Sequence, residues 1–139
     1  KRVKYRSDPQ NSIAAPLMKF TADLIESPWL VKAYEPGVVR VGETEWRESI
    51  LLVPGRPVEP WPAASLEEVT PAMLAALVEL RPDLVLFGTG VRQHFPHPAR
   101  LAPLMEAGIG HEVMDTAAAC RTFNILLGEG RPVAAALIP

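Results

Sequence analysis

Two short loops hold the residue types best suited to chemistry. Gly88-Thr89-Gly90 ends the apolar run that begins at Leu84, and Asp115-Thr116 ends the run that begins at His111. A hydroxyl bracketed by glycines after a buried strand has the local form of a phosphate cradle. Asp-Thr at a helix start offers a carboxylate, a hydroxyl and free backbone N–H groups whose positive dipole end attracts anions. If the two strands are parallel neighbours, the loops meet at one sheet edge, where open α/β sheets hold ligands. Arg121 and Asn124 follow on the helix that Asp115-Thr116 opens.

Neither loop completes a known fingerprint. The dinucleotide pattern G-x-G-x-x-G needs glycine at position 93, where the chain has Gln93, and no G-K-[ST] follows. Glycines where backbone must pass close to backbone, and Asp115 as a plain helix cap, are the structural alternatives. Arg121 lies almost opposite the apolar stripe Ala119, Cys120, Phe123, Leu126 and Leu127, with Asn124 about 60° from it. Spacing leaves both residues open as a crevice border, a partner surface or a solvated face.

His94 and His97 flank Pro96 without a third ligand type placed to join them, so they read as loop histidines and not a metal site. Cys120 sits on an apolar helix face with no assigned base, and no serine lies in a G-x-S-x-G context. The sequence therefore assigns no catalytic residue, no metal and no cofactor. Its candidate crevice or interaction surface is Gly88, Thr89, Gly90, Asp115, Thr116, Arg121 and Asn124.

The elements that must position these residues are punctuated by 15 prolines. Val31 to Tyr34 and Val38 to Val41 read as strands split by the Pro36-Gly37 turn, with a third from Ser49 to Val53 ending at Pro54-Gly55. The polar stretch Arg40 to Glu48 keeps one face of this antiparallel portion wet. Ser65 with Glu68 fits a capping box, and Thr70-Pro71 offers a second helix start. Met73, Leu74, Leu77 and Val78 then form one stripe, and Pro82 stops the helix.

Leu84 to Gly88 is apolar at every position and too short for a helix, as an inner parallel strand would be. A second helix lies within 97–110, kinked or started by Pro103 and ended by Gly108. His111 to Asp115 is a strand, 116–130 a third helix and 132–139 a last strand. The order from residue 70 is α-β-α-β-α-β with short links, which predicts right-handed winding and a mainly parallel sheet with helices on both faces. The fold class is α/β, one three-layer domain with an extra N-terminal antiparallel β element.

At 139 residues the chain can remove about two-thirds of its unfolded surface from water without a metal or disulfide staple. A hydrophobic share of 48% and a charged share of 22% are ordinary for a globular protein. The formal net charge of −2 argues against a nucleic-acid partner. A single cysteine excludes an intramolecular disulfide and suits a reducing, cytoplasmic compartment. Lys1, Arg2, Lys4 and Arg6 make the start basic, so residues 1–17 read as an extension and 18–139 as the α/β domain.

The ordered combination "LFGTG", "GIGHEVMDTAAACRTFN" and "EGRPVAAALIP", with "YEPGVVRVG", "SILLVPG" and Trp61 before it, resembles the domain of unknown function 498 family. That family includes a mitochondrial NADH:ubiquinone oxidoreductase (complex I) assembly factor. The resemblance covers Val31 to Pro139 and implies a three-layer α/β fold with an extra β element at one side. It carries motif positions onto the seven candidate residues and onto Glu129 and Arg131, without an established reaction. It also implies a protein partner, peripheral association with membrane complexes and, in a eukaryote, the mitochondrial matrix. Composition looks bacterial, and a homodimer is a further expectation.

Overall fold

A computed structural model describes residues 26–139. The expected extension, 1–17, and the first residues of the expected domain lie outside that range.

The main sheet has five strands. In chain order the strands are β1 (Val31–Glu35), β2 (Val38–Val41), β3 (Thr44–Trp46), β4 (Ile50–Leu52), β5 (Glu59–Pro60), β6 (Leu84–Thr89), β7 (Gly110–Met114) and β8 (Val133–Ile138). The helices are α1 (Pro71–Glu79), α2 (Ala102–Glu106) and α3 (Thr116–Gly128). The large sheet runs β5-β4-β8-β6-β7, and β1-β2-β3 form a separate antiparallel sheet. β6, β7 and β8 are parallel, as their uninterrupted apolar character demands, while β4 and β5 add antiparallel strands beside β8. The sheet is thus mixed, with its parallel half carrying the candidate loops.

Strict alternation divides the core. Leu86, Val133, Ala135, Leu137, Ile50 and Leu52 face α3 and the small sheet; Val85, Phe87, Ala134 and Ala136 face α1 and α2. Helices therefore cover both faces, and the three layers follow from period-two patterning on strands buried on both sides. Trp61 is buried and packs its ring at 6.1 Å from Phe87. It closes the α1–α2 face.

The N-terminal strands differ from their sequence reading in one respect. The segment 49–53 does not complete the small sheet: Ile50 and Leu52 are fully buried and pair with Leu137 and Ala135 of β8. The third strand of the small sheet is Thr44–Trp46, inside the polar stretch, paired with β2. Its side chains are largely exposed, and around it Glu43 meets Lys32 at 2.9 Å and Arg40 at 3.4 Å. Burying two large aliphatic side chains in the main core outweighs keeping a hairpin neighbour, at about 2 kcal/mol per residue.

Helix starts obey local chemistry. The Thr70 hydroxyl accepts from Met73 N–H at 3.2 Å, and Pro71 occupies the first turn of α1, where no donor is needed. Ser65 makes no cap bond; a 3-10 turn runs Leu66–Glu68, and the Glu68 carboxylate accepts from Ala64 N–H at 3.0 Å. The expected capping box is thus not formed: the Glu68 carboxylate reaches back one residue beyond Ser65. Pro103 likewise lies in the first turn of α2, after a 3-10 turn at Pro98–Leu101, and so starts the helix instead of kinking it.

Candidate functional site

Gly88-Thr89-Gly90 and Asp115-Thr116 lie at the carboxyl ends of β6 and β7, which are adjacent and parallel. The two loops meet, and they are fastened to each other. Thr116 N–H donates to the Gly90 carbonyl at 2.8 Å. The Thr116 hydroxyl accepts from Gly90 N–H at 2.7 Å and donates to the Ile138 carbonyl at 2.6 Å. One fully buried side chain thus links the ends of β6, β8 and α3. Each of these groups would cost about 1–3 kcal/mol if left buried without a partner.

Both glycines are required by this arrangement. A Cβ at Gly88 would lie 2.8 Å from the Thr116 hydroxyl and 3.1 Å from its Cα, so α3 can approach β6 only over a bare backbone. Gly90 has φ +96, a left-handed conformation that makes the turn into Val91. The Thr89 hydroxyl donates to the Arg92 carbonyl, with the Met114 carbonyl 3.2 Å away. Gln93, which replaces the third glycine of a dinucleotide motif, donates its side-chain amide to the Val113 carbonyl at 3.0 Å.

Asp115 caps α3: its carboxylate accepts from Ala118 N–H at 2.8 Å. An anion at this helix start would therefore meet a carboxylate already in place. Asn124 faces the small sheet. Its side-chain carbonyl accepts from Val31 N–H and its amide donates to the Val31 carbonyl, both at 2.9 Å. The side chain imitates a neighbouring strand and closes the outer edge of β1. Arg121 is exposed and has no hydrogen-bond or ion-pair partner among the described residues. The structure thus gathers Gly88, Thr89, Gly90, Asp115 and Thr116 in one junction, puts Asn124 at another contact and leaves Arg121 on the surface.

Burial pushes the Cys120 thiol up to about 12, the nearby Arg121 pulling it back and Asp115 adding to the rise. A thiol in that state is neither nucleophile nor metal ligand at neutral pH. Burial, then Cys120 and Asp115, also raise the Tyr34 hydroxyl above its ordinary value. Tyr34 and Trp46 share one cross-sheet row through Val39, and the Tyr34 hydroxyl and Trp46 Nε1 have no partner among the described residues. Sequence reasoning did not single out these two, because only strand register puts them in one row.

His94 and His97 diverge. His94 Nε2 lies 2.6 Å from the Glu67 carboxylate, whose pKa that hydrogen bond lowers, while His97 Nδ1 accepts from Ala99 N–H at 3.1 Å. Among the described residues no group of three His, Cys, Asp or Glu side chains is placed to hold a metal. Two open grooves lie elsewhere, of about 370 Å³ along Val69, Pro71, His97 and Arg100, and about 450 Å³ along Glu79, Arg81 and Gly108. No helix of the described residues is long and apolar enough to cross a membrane.

Known proteins share this architecture. The mouse NADH dehydrogenase [ubiquinone] 1 alpha subcomplex assembly factor 3 is 40% identical over 81 residues, covering 57% of this chain and 44% of its own. The chain thus spans less than half the length of that relative. A crystal structure of a Bordetella parapertussis protein superposes with TM-score 0.75 at 39% identity, covering 81% of this chain and 97% of the other. The solution structure of a Bordetella pertussis Mth938-like domain gives TM-score 0.69 at 30% identity over 99% and 92% of the two chains. The model of the family described as protein of unknown function (DUF498/DUF598) matches residues 31–138, within which every candidate residue falls, and the chain belongs to that family.

Proposed function

We propose that this chain is a non-enzymatic accessory protein that works through protein contacts in the assembly of a respiratory membrane complex. The observation that carries this reading is the Thr116 junction. At the sheet edge where an α/β enzyme would hold its ligand, Thr116 and Gly90 bond to each other and the Thr89 hydroxyl and Asp115 carboxylate are taken by neighbouring backbone. The assembly-factor name of the mouse relative supports the same role. We favour contact over capture of a small anion because the Asp115 carboxylate already occupies the start of α3. Of the candidate residues, Arg121 is the one whose charge stays available to a partner, and the exposed Ile125 lies on the same helix. The proposed setting is the bacterial cytoplasm, or the mitochondrial matrix in a eukaryote, with peripheral contact to a membrane complex.

Deleting the gene and resolving membrane complexes on a native gel tests the reading. Loss of assembled NADH:quinone oxidoreductase, restored by the wild-type chain and not by Arg121→Glu, is the expected result. Normal complex levels in the deletion strain would overturn it.

A further inference from the structure

A cation drawn out of water normally meets an anion. Arg100 is half-buried, and its recorded partner is a backbone carbonyl. Its Nη1 donates to Val69 at 3.1 Å, which ties the 3-10 turn Pro98–Leu101 to the chain just ahead of α1. No carboxylate reaches Arg100 among the described residues, whereas the partly covered Lys32 has Glu43 at 2.9 Å. With Nη1 engaged, Nε and Nη2 remain as two parallel donors on one edge of the guanidinium. Neither has a partner among the described residues.

Arg100 lines the groove of about 370 Å³ together with Val69, Pro71, His97, Ala99 and Pro103. His97 adds a further donor. Its Nδ1 accepts from Ala99 N–H at 3.1 Å, so the neutral ring carries its proton on Nε2. The other walls are apolar, two of them proline rings of fixed shape, and no carboxylate is among the lining residues.

We propose that this groove receives an acidic segment of a partner protein, its Asp or Glu carboxylate on the Arg100 fork and a neighbouring aliphatic side chain on the apolar walls. Nε–H and Nη2–H match the two oxygens of a carboxylate, and the Val69 carbonyl holds the fork in place. One guanidinium balances one negative charge, which suits a carboxylate better than a dianionic phosphate. The groove is open, so it can cover part of a longer chain but would leave a free small acid largely in water. That the segment belongs to a protein rests on the accessory role proposed above; the carboxylate preference rests on the groove alone.

Titrating the isotope-labelled full chain with N-acetyl-Leu-Glu-Leu-amide to about 20 mM, followed by NMR at the Arg100 Nε–H and the Val69 and Ala99 amides, tests this. Saturable shifts at all three are expected, with the Leu-Gln-Leu peptide at least about tenfold weaker because its amide carries no charge. Arg100→Lys keeps the charge but loses the fork, and is expected to weaken binding at least about fivefold. If that variant fails to fold by circular dichroism, His97→Asn decides. It keeps a side-chain acceptor for Ala99 N–H, lacks the Nε2 donor, and is expected to bind at least about threefold more weakly. Equal binding of the Glu and Gln peptides, no shift at Arg100, or a folded Arg100→Lys protein that binds like wild type would overturn the proposal. So would acetate or inorganic phosphate binding as tightly as the Glu peptide, which would make this a site for free anions. Peptide binding with normal complex levels in the deletion strain would sink the assembly role and keep the carboxylate site; lost complex without peptide binding would sink this proposal alone.

Discussion

A Cβ placed on Gly88 would lie 2.8 Å from the hydroxyl of Thr116, the residue that joins the ends of β6, β8 and α3. The glycine is thus the cause of the close approach between strand and helix, and the threonine exploits it. Its other near neighbour would be the Leu137 side chain at 3.1 Å, also fully buried. Gly88→Ala has nowhere to relax and is expected to lose about 1–3 kcal/mol of stability by overpacking. Urea denaturation measures it; a loss below about 0.5 kcal/mol would show that α3 shifts freely.

Thr116→Val keeps the shape and deletes the hydroxyl. Gly90 N–H and the Ile138 carbonyl then lose their partner inside the protein, at an expected cost of about 2–3 kcal/mol. Thr116→Ser retains both hydrogen bonds and is expected to lose less than half as much. A loss for Thr116→Ser as large as that for Thr116→Val would show that the methyl group's packing contributes as much as the two hydrogen bonds.

Asn124→Ala opens the clip on Val31. The expected loss is about 1–2 kcal/mol, concentrated in the small sheet, with faster hydrogen exchange at the Val31 amide and little change in β6 or β8. Uniform acceleration across both sheets would mean that Asn124 stabilises the whole domain and not one interface.

Cys120 is expected to resist alkylation at pH 8 until the protein is unfolded, because burial raises its pKa from 9.0 to about 12. Above pH 9 the unfolded chain gives up this proton while the folded one keeps it. Stability is therefore full below pH 9 and falls as pH rises toward about 12, by up to about 1.4 kcal/mol per pH unit for this group. Tyr34, also raised, adds to the decline above its ordinary 10.0. Cys120→Ala is expected to flatten the first part of that slope in denaturation curves recorded across alkaline pH.

The Glu67–His94 contact acts at the opposite end of the pH scale. The hydrogen bond from His94 lowers the Glu67 carboxyl below its ordinary 4.5. Its contribution is present above that value and is lost as pH falls through the lowered one. In a carboxyl titration followed by NMR, His94→Ala is expected to raise Glu67 toward its ordinary value. An unchanged midpoint would show that the contact does not persist in solution.

Much of the architecture was legible because its causes are local. Proline at a first helical turn, glycine after a last one and an apolar stripe at helical spacing need only neighbouring residues, and they place α1, α3 and the strands before and after α3. Thr70 and Asp115 cap their helices with their own side chains, as residue type alone suggests. The glycine-turn and N-cap alternatives for the two loops were equally visible there.

What stayed hidden depends on pairings across the chain. Ile50 and Leu52 read as a third strand of the small sheet, and only the room beside β8 draws them into the large one. The Tyr34–Val39–Trp46 row exists by register, which no window of sequence contains. Asn124 reads as a polar residue on a helix face until Val31, 93 residues earlier, is laid beside it. The sequence by itself determined the order and type of the elements from Thr70 onward and the residue types at the β6 and β7 ends, because backbone propensity and period act over a few residues. Tertiary structure alone decided that Thr116 fills the junction those ends create, because a side chain's partners are set by which backbones pack within hydrogen-bond reach.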